Sequence, residues 1–286
     1  MIGAAFGVGK AVGRLDAYQS GLWSACSVDQ LIGGKPQCMG AVNNSNSQVT
    51  TIQFSPDGTV NAGALTAHCG TTGSSGAIYD QSSAQHLSGN LFNTGTASKR
   101  PTVVSGSSSL GYLEFDASDD ALATPTNFGG VTGCTVFMRM RLRSTAGLVI
   151  ILEHSQNYNN DNAFIAYWDG GISRLVTGTR EFAAARYANS EFNVSVTTEA
   201  VFCFRYDRTQ TNGANQCVLF LNGVKQTRTG VGGETATRPT GNFGSWPIYL
   251  AGRNSTSLYA PMNLKTLVIY STALSDADCT AISALL

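Results

Sequence analysis

Tyr112-Leu-Glu-Phe-Asp-Ala-Ser-Asp-Asp-Ala-Leu122 is the stretch on which the reading of the fold turns. Its first half alternates apolar and polar residues, then breaks at the polar cluster Asp116–Asp120. Period-two alternation closed by such a cluster predicts a half-buried strand running into a tight turn. Before it the chain is irregular and rich in Gly, Ser and Asn; after it come apolar runs separated by polar loops. Asp116, Asp119 and Asp120 offer oxygen ligands of the kind calcium takes in sets of about six to eight. They lack the order of a calcium-binding loop, and Asp side chains capping a turn account for the spacing.

Downstream, strands are predicted at Cys134–Leu142, Leu148–Leu152, Ala163–Trp168, Ile172–Thr177, Phe192–Val196, Ala200–Tyr206, Gln216–Leu221, Val224–Thr227, Pro247–Leu250 and Met262–Tyr270. The unbroken apolar run at Leu148–Leu152 predicts burial on both faces. Asn222-Gly223 is the strongest short turn signal of the chain and predicts a hairpin. Ser275, with Asp278 three residues on, predicts the N-cap of a terminal helix. Upstream, Cys38–Val42 and Val49–Phe54 are predicted strands, and Ser75–Ser82 follows. Trp23, Val28, Leu31 and Ile32 could share a helical face, and Val60–Cys69 a short helix with Ala62, Leu65 and Ala67 inward. Many strands at regular spacing with one closing helix predict an all-β, two-sheet antiparallel sandwich.

Bulk composition removes several function classes. Across 286 residues, Lys plus Arg and Asp plus Glu are 18 each, and 13% of residues are charged. Such a chain has no basic footprint for nucleic acid and no polybasic membrane patch. Seven cysteines at no zinc-like spacing argue against a zinc site. Buried free thiols are one reading; a disulfide between Cys203 and Cys217, or between Cys26 or Cys38 and Cys69, is the other. His68, His86 and His154 are scattered, with none at ligand spacing from another. Gly7-Val-Gly9-Lys10 lacks the first Gly and the Ser/Thr of a phosphate loop. Lys10 and Arg14 follow the apolar N-terminal residues instead of preceding them, the reverse of a secretion signal.

Several motifs resemble a known fold family. Leu113–Leu122, Ile248-Tyr-Leu-Ala-Gly-Arg-Asn254, Leu264–Tyr270 and Ala273–Asp278 resemble concanavalin A-like, laminin G-like jelly rolls. Ala25–Val28, Thr51–Phe54, Ala64-Leu65, Ala77-Ile-Tyr-Asp-Gln-Ser82 and Arg100-Pro101 resemble the arabinofuranosidase B catalytic domain and, still more, its bacteriophage structural relatives. The resemblance implies a jelly roll over residues 21–286 as one domain, and the Gly/Ala-rich residues 1–20 are expected to be an assembly segment. Within that domain, residues 21–110 form an irregular lead-in and residues 111–286 the main sandwich.

The enzyme side of the resemblance implies two carboxyl groups about 5–5.5 Å apart. Glu153 lands near the nucleophile's place, but Arg253 stands where the acid/base Asp belongs, and an Arg cannot protonate a leaving group. The expectation is therefore a virion subunit of a tail, fibre or head decoration, assembled with other virion subunits through residues 1–20. It is expected to be homo-oligomeric, without cofactor, and able to attach to host surface glycans. An arabinofuranosidase-like hydrolase is the alternative. Tyr158, Asn159, Asp161, Trp168 and Asp169 form the best sugar-binding candidate, with Arg253, Asn254 and Tyr259 on a corresponding loop. Aromatic faces stack on a sugar ring while Asn and Asp bond its hydroxyls. The competing reading is a polar loop rim beside a core Trp.

Overall fold

The structure, a computed structural model, describes residues 15–18, 20–27, 37–42, 49–53, 64, 67, 72–79, 90–93, 99–104, 111–124, 127–159 and 161–286. The lead-in supplies β1 (Leu22–Ser27), β2 (Gln37–Val42), β3 (Val49–Gln53), β4 (Thr72–Tyr79), β5 (Asn90–Asn93) and β6 (Thr102–Val104). The sandwich proper begins with β7 (Tyr112–Glu114), β8 (Leu122–Ala123), β9 (Gly133–Leu142), β10 (Leu148–His154), β11 (Ala163–Asp169) and β12 (Arg174–Glu181). It continues through β13 (Arg186–Phe192), β14 (Ala200–Asp207), β15 (Cys217–Leu221), β16 (Val224–Lys225), β17 (Ile248–Leu250) and β18 (Met262–Tyr270), and closes with the helix Asp276–Leu285.

Antiparallel pairing arranges these strands in two layers. In the first, β1 and β7 share one edge of β18, and β9, β14, β15 and β16 follow on the other side. The second runs β8, β17, β10, β11, β12, β13. Phe137, Val201, Cys203 and Phe220 of the first layer turn outward and are covered by Cys279 and Ile282 of the helix. Their alternate neighbours Met138, Phe202 and Phe204 turn inward, where they meet Ile151, Leu152, Phe164 and Trp168 of the second layer. This is the expected two-sheet sandwich, an interior filled from two pleated faces.

The opening stretch is the seam of this arrangement. Leu113 pairs with Val103 of β6 on one side and with Leu264 of β18 on the other. Phe115 is fully buried, and the chain then turns on its own carboxylates. Asp116 Oδ1 accepts from the Ser118 amide at 2.7 Å, and Asp120 Oδ2 accepts from the Asp116 amide at 2.8 Å. The Asp cluster builds the turn, as the capping reading requires. Burial, opposed by the Asp116 amide bond, pushes the Asp120 carboxyl up to about 7.

Several expectations need correction. Residues 22–27 are a strand pairing with β18, so Trp23 does not begin a helix. Of Val60–Cys69 only Ala64 and Ala67 are described; both are helical and exposed, so Ala67 does not pack inward. The strands expected at Ile172–Thr177 and Phe192–Val196 lie at Arg174–Glu181 and Arg186–Phe192. Both shifts arise where polar edge residues blur the alternation. Cys203 faces Phe220 across β14–β15, while Cys217 faces Tyr206. The two thiols lie on opposite faces of one sheet, so no bond can join them. Cys134, Cys203, Cys217 and Cys279 are free and buried. Of residues 1–20, Leu15 is fully buried and packs with Tyr18 under the terminal helix. Residues 1–14 and 80–82 lie outside the described residues. Ser275 caps the helix through the Asp278 amide, as expected.

Candidate functional site

A β-bulge decides which residues reach the outer face of the second layer. Ile150 pairs with Tyr167 and Leu152 with Ala166, which leaves Ile151 as an extra residue. The two consecutive residues Ile151 and Leu152 both join the inner core, while Ile150 belongs to a small outer cluster with Tyr158, Ala163 and Ile165. The bulge thus reverses the alternation of β10. Glu153, three residues beyond Ile150, is fully buried beneath the loop that follows the strand. The unbroken apolar run is explained by this doubling, and Leu148 at its start remains 41% exposed.

Two carboxylates fold the 155–161 loop. Glu153 Oε1 accepts from the Ser155 hydroxyl and the Tyr158 amide, both at 2.8 Å. Asp161 Oδ2 accepts from the amides of Gln156 at 2.9 Å and Asn157 at 3.1 Å. The loop lays Tyr158 across the outer face, where its hydroxyl donates to Asn189 Oδ1 at 2.8 Å. Gly178 lies beneath that bond: a Cβ there would come within 2.2 Å of Asn189 Oδ1 and 2.6 Å of the Tyr158 hydroxyl. Asn189 in turn donates to the Gly232 carbonyl at 3.0 Å, which holds the 229–233 loop along the β13 edge.

The remaining wall is the 251–258 loop. Its backbone is tied to β10 by Ala251 N–H to Ile151 and by Ile150 N–H to Leu258, at 3.1 and 2.9 Å. Of the eight described non-glycine residues with left-handed φ, four fall here: Ala251, Asn254, Ser255 and Leu258. Such backbone costs energy at each position and is found where a site demands it. From this loop Arg253 donates through Nε to Glu153 Oε2 at 2.9 Å. The carboxylate is fully buried and the guanidinium about a quarter exposed. Among the described residues neither terminal nitrogen of Arg253 has a protein partner.

These walls enclose a cavity of about 250 Å³. Its floor is Ile150, Ile165 and Tyr167, and Leu148 and Leu258 flank it. Tyr158, Asn159, Asn189 and Arg253 supply its polar rim. Burial, with the charges of Asp169 and Glu191 adding to it, pushes the Tyr167 phenol up to about 12. It is therefore a neutral hydroxyl at any physiological pH, and none of the described residues hydrogen-bonds it.

Of the residues singled out in the sequence, Tyr158, Asn159 and Arg253 line this cavity. Glu153 and Asp161 shape it from beneath. Trp168 does not take part: it is 7% exposed, lies in the inner core and donates through Nε1 to the Thr145 carbonyl at 3.0 Å. Asp169 caps the next turn through the Gly171 amide at 2.9 Å. Asn254 sits in the left-handed turn, and Tyr259 braces it by donating to the Ser255 carbonyl at 2.9 Å. The missed residues are Tyr167, Asn189 and Leu258. Tyr167 was legible in principle, since Phe164, Ala166 and Trp168 turn inward and Tyr167 alternates with them.

The comparisons with known proteins concern the fold. No family model matches the chain, and no curated protein matches it. Among solved structures, an arabinofuranosidase complexed with arabinofuranosyl-alpha-1,2-xylobiose superposes with a TM-score of 0.58 at 12% identity, over 96% of this chain and 64% of that one. The botulinum neurotoxin serotype G binding domain gives 0.50 at 13% identity, and the serotype D binding domain 0.50 at 11%; each covers 72% of this chain. The chain spans about half the length of these neurotoxin domains, 48% in both cases. At such identities the likeness is one of architecture, and that architecture is the jelly-roll sandwich expected from the motifs.

Proposed function

We propose that this chain is a glycan-binding protein of a virus particle, and that the cavity between the 155–161 and 251–258 loops takes the sugar. The observation that carries the binding reading is the Glu153–Arg253 pair. Both oxygens of Glu153 are already engaged, one by Ser155 and Tyr158 and the other by Arg253. A retaining glycosidase needs a free nucleophilic carboxylate facing an acid; here the facing group is a guanidinium. The same arrangement suits recognition. Tyr167 and Leu258 offer apolar surface to a ring, while the free Arg253 nitrogens, the Tyr167 hydroxyl and Asn159 offer partners for hydroxyls. A pocket of apolar walls with a few placed polar groups is the usual form of a small-molecule site. Binding of the purified chain to an array of bacterial surface glycans tests this reading. Capture of at least one glycan, lost in Tyr167→Ala, supports it, and no capture sinks it.

The place in a virus particle rests on the resemblance of the lead-in motifs to bacteriophage structural proteins. Mass spectrometry of purified particles from the producing host tests it, and absence of this chain from them would refute it. An assay with an aryl arabinofuranoside, repeated with Glu153→Gln, tests the hydrolase alternative; turnover that vanishes in the variant would overturn the binding reading.

A further inference from the structure

The charges around the cavity are unequal. Arg253 is the one cation among its lining residues, and Glu153 at 2.9 Å cancels it. Two further carboxylates border the outer face. Asp169 lies two residues from Tyr167 on β11, at the end of the floor where it pairs with Leu148. Glu191 lies on β13 in the cross-strand row Ile150, Tyr167, Val176, Glu191, which runs along the floor. Among the described residues neither forms a salt bridge; Asp169 is held only by the Gly171 amide. The Glu191 carboxylate is tucked against the 230–232 backbone, where a Cβ on Gly230 would lie 2.1 Å from its Oε2. Both stand on the Tyr167 side of the sheet, Asp169 two residues along β11 and Glu191 two strands across in the same row, so both border the space above the floor.

We infer that the cavity is selective for uncharged sugar residues and rejects those bearing a carboxylate, with Asp169 and Glu191 as the specificity-determining pair. This rests on the glycan-binding reading above. The Arg253 nitrogens remain donors to hydroxyls, but the neutralised guanidinium offers a ligand anion little net attraction. An incoming carboxylate meets two carboxylates that no described residue salt-bridges, Asp169 facing Arg174 only across the β11–β12 register, within about one Debye length. Like charges at such range across partly wet protein change affinity by roughly tenfold.

The test uses the full chain and matched probes: neutral glycans printed beside the same glycans oxidised at C6 to the uronate. The expected result is capture of a neutral glycan with about tenfold weaker capture of its uronate partner at low salt. The gap should narrow as sodium chloride rises, and it should close in the double variant Asp169→Asn, Glu191→Gln. Asn at 169 keeps an acceptor for the Gly171 amide, so the variant should fold, and its unfolding midpoint verifies this. Equal or tighter capture of the uronates overturns the selectivity while leaving the binding reading intact. Capture of neither member of any pair overturns both.

Discussion

Arg253 Nε lies 2.9 Å from Glu153 Oε2, a bond across 100 residues of sequence that fastens the 251–258 loop to the end of β10. Glu153 has no exposed surface, so the bond balances a buried charge. Removing one partner of a buried pair costs more than the pair contributes, because the other is left uncompensated. Arg253→Ala should therefore lower stability by about 3 kcal/mol. Glu153→Gln keeps an acceptor for Ser155 and Tyr158 and should cost about 1–2 kcal/mol. Urea unfolding of both single variants and the double variant measures this; additive losses would show that the two side chains are not coupled.

Tyr167 and Trp168 are neighbours on opposite faces of one strand, and their truncations should separate binding from stability. Trp168→Ala empties part of the inner core and should cost about 3–5 kcal/mol. Tyr167→Ala removes surface from the cavity floor and, because Tyr167 is only partly buried against the outer cluster, should cost less stability than Trp168→Ala while glycan affinity falls about tenfold. Thermal unfolding and glycan titration on the same samples decide the assignment. Binding lost in a folded Trp168 variant and kept in the Tyr167 variant would reverse it.

Much of this architecture could be read from the residues. Met262–Tyr270 emerged with the expected bounds, Gly133–Leu142 began one residue early, and Ser275 caps the helix as its spacing requires. These segments have strong alternation or a local capping signal. The site was harder. Tyr158, Asn159 and Arg253 were identified because polar loop residues with an aromatic stand out. Trp168 stands out in the sequence and Tyr167 does not, since aromatic size says nothing about which face of a strand a side chain takes. Ile150 and Glu153 share an outer-facing environment only through the bulge at Ile151, and a bulge leaves no mark in an apolar run. Asn189 and Leu258 enter the cavity through tertiary contacts alone.

Acid and base should act on stability through two different groups. Burial lowers His154 to about 4; it stacks on Phe164 at 4.6 Å and hydrogen-bonds through Nε2 to the Phe128 carbonyl at 2.8 Å. Between pH 6.5 and 4 the unfolded chain binds this proton and the folded chain does not. The contribution of His154 is therefore present above pH 6.5 and falls away on acidification. Asp120 works in reverse. Its folded value is about 7 against an ordinary 3.8, so its contribution is present in acid and lost as pH rises towards 7. In Asp120→Asn the unfolding midpoint should fall as pH drops from 6.5 to 4. In His154→Phe it should fall as pH climbs from 4 to 7. Parallel pH profiles for the two variants would refute the assignment.

Backbone strain in the 251–258 loop can be relieved at one position without touching the cavity wall. Ser255 has φ of 51° and does not line the cavity; its carbonyl accepts from the Tyr259 hydroxyl, a bond that any residue there would keep. Ser255→Gly should raise stability by about 1 kcal/mol, since left-handed backbone penalises any residue with a Cβ. A lowered unfolding midpoint would show that the Ser side chain contributes more than the strain costs.

The most direct test of the site is a titration of the full chain with a glycan captured on the array, run beside Tyr167→Ala and with unfolding midpoints recorded for both. The account predicts saturable binding by the parent protein and affinity about tenfold lower in a variant whose midpoint shows it still folded. Equal affinity in the two proteins would contradict it and place the sugar elsewhere on the molecule.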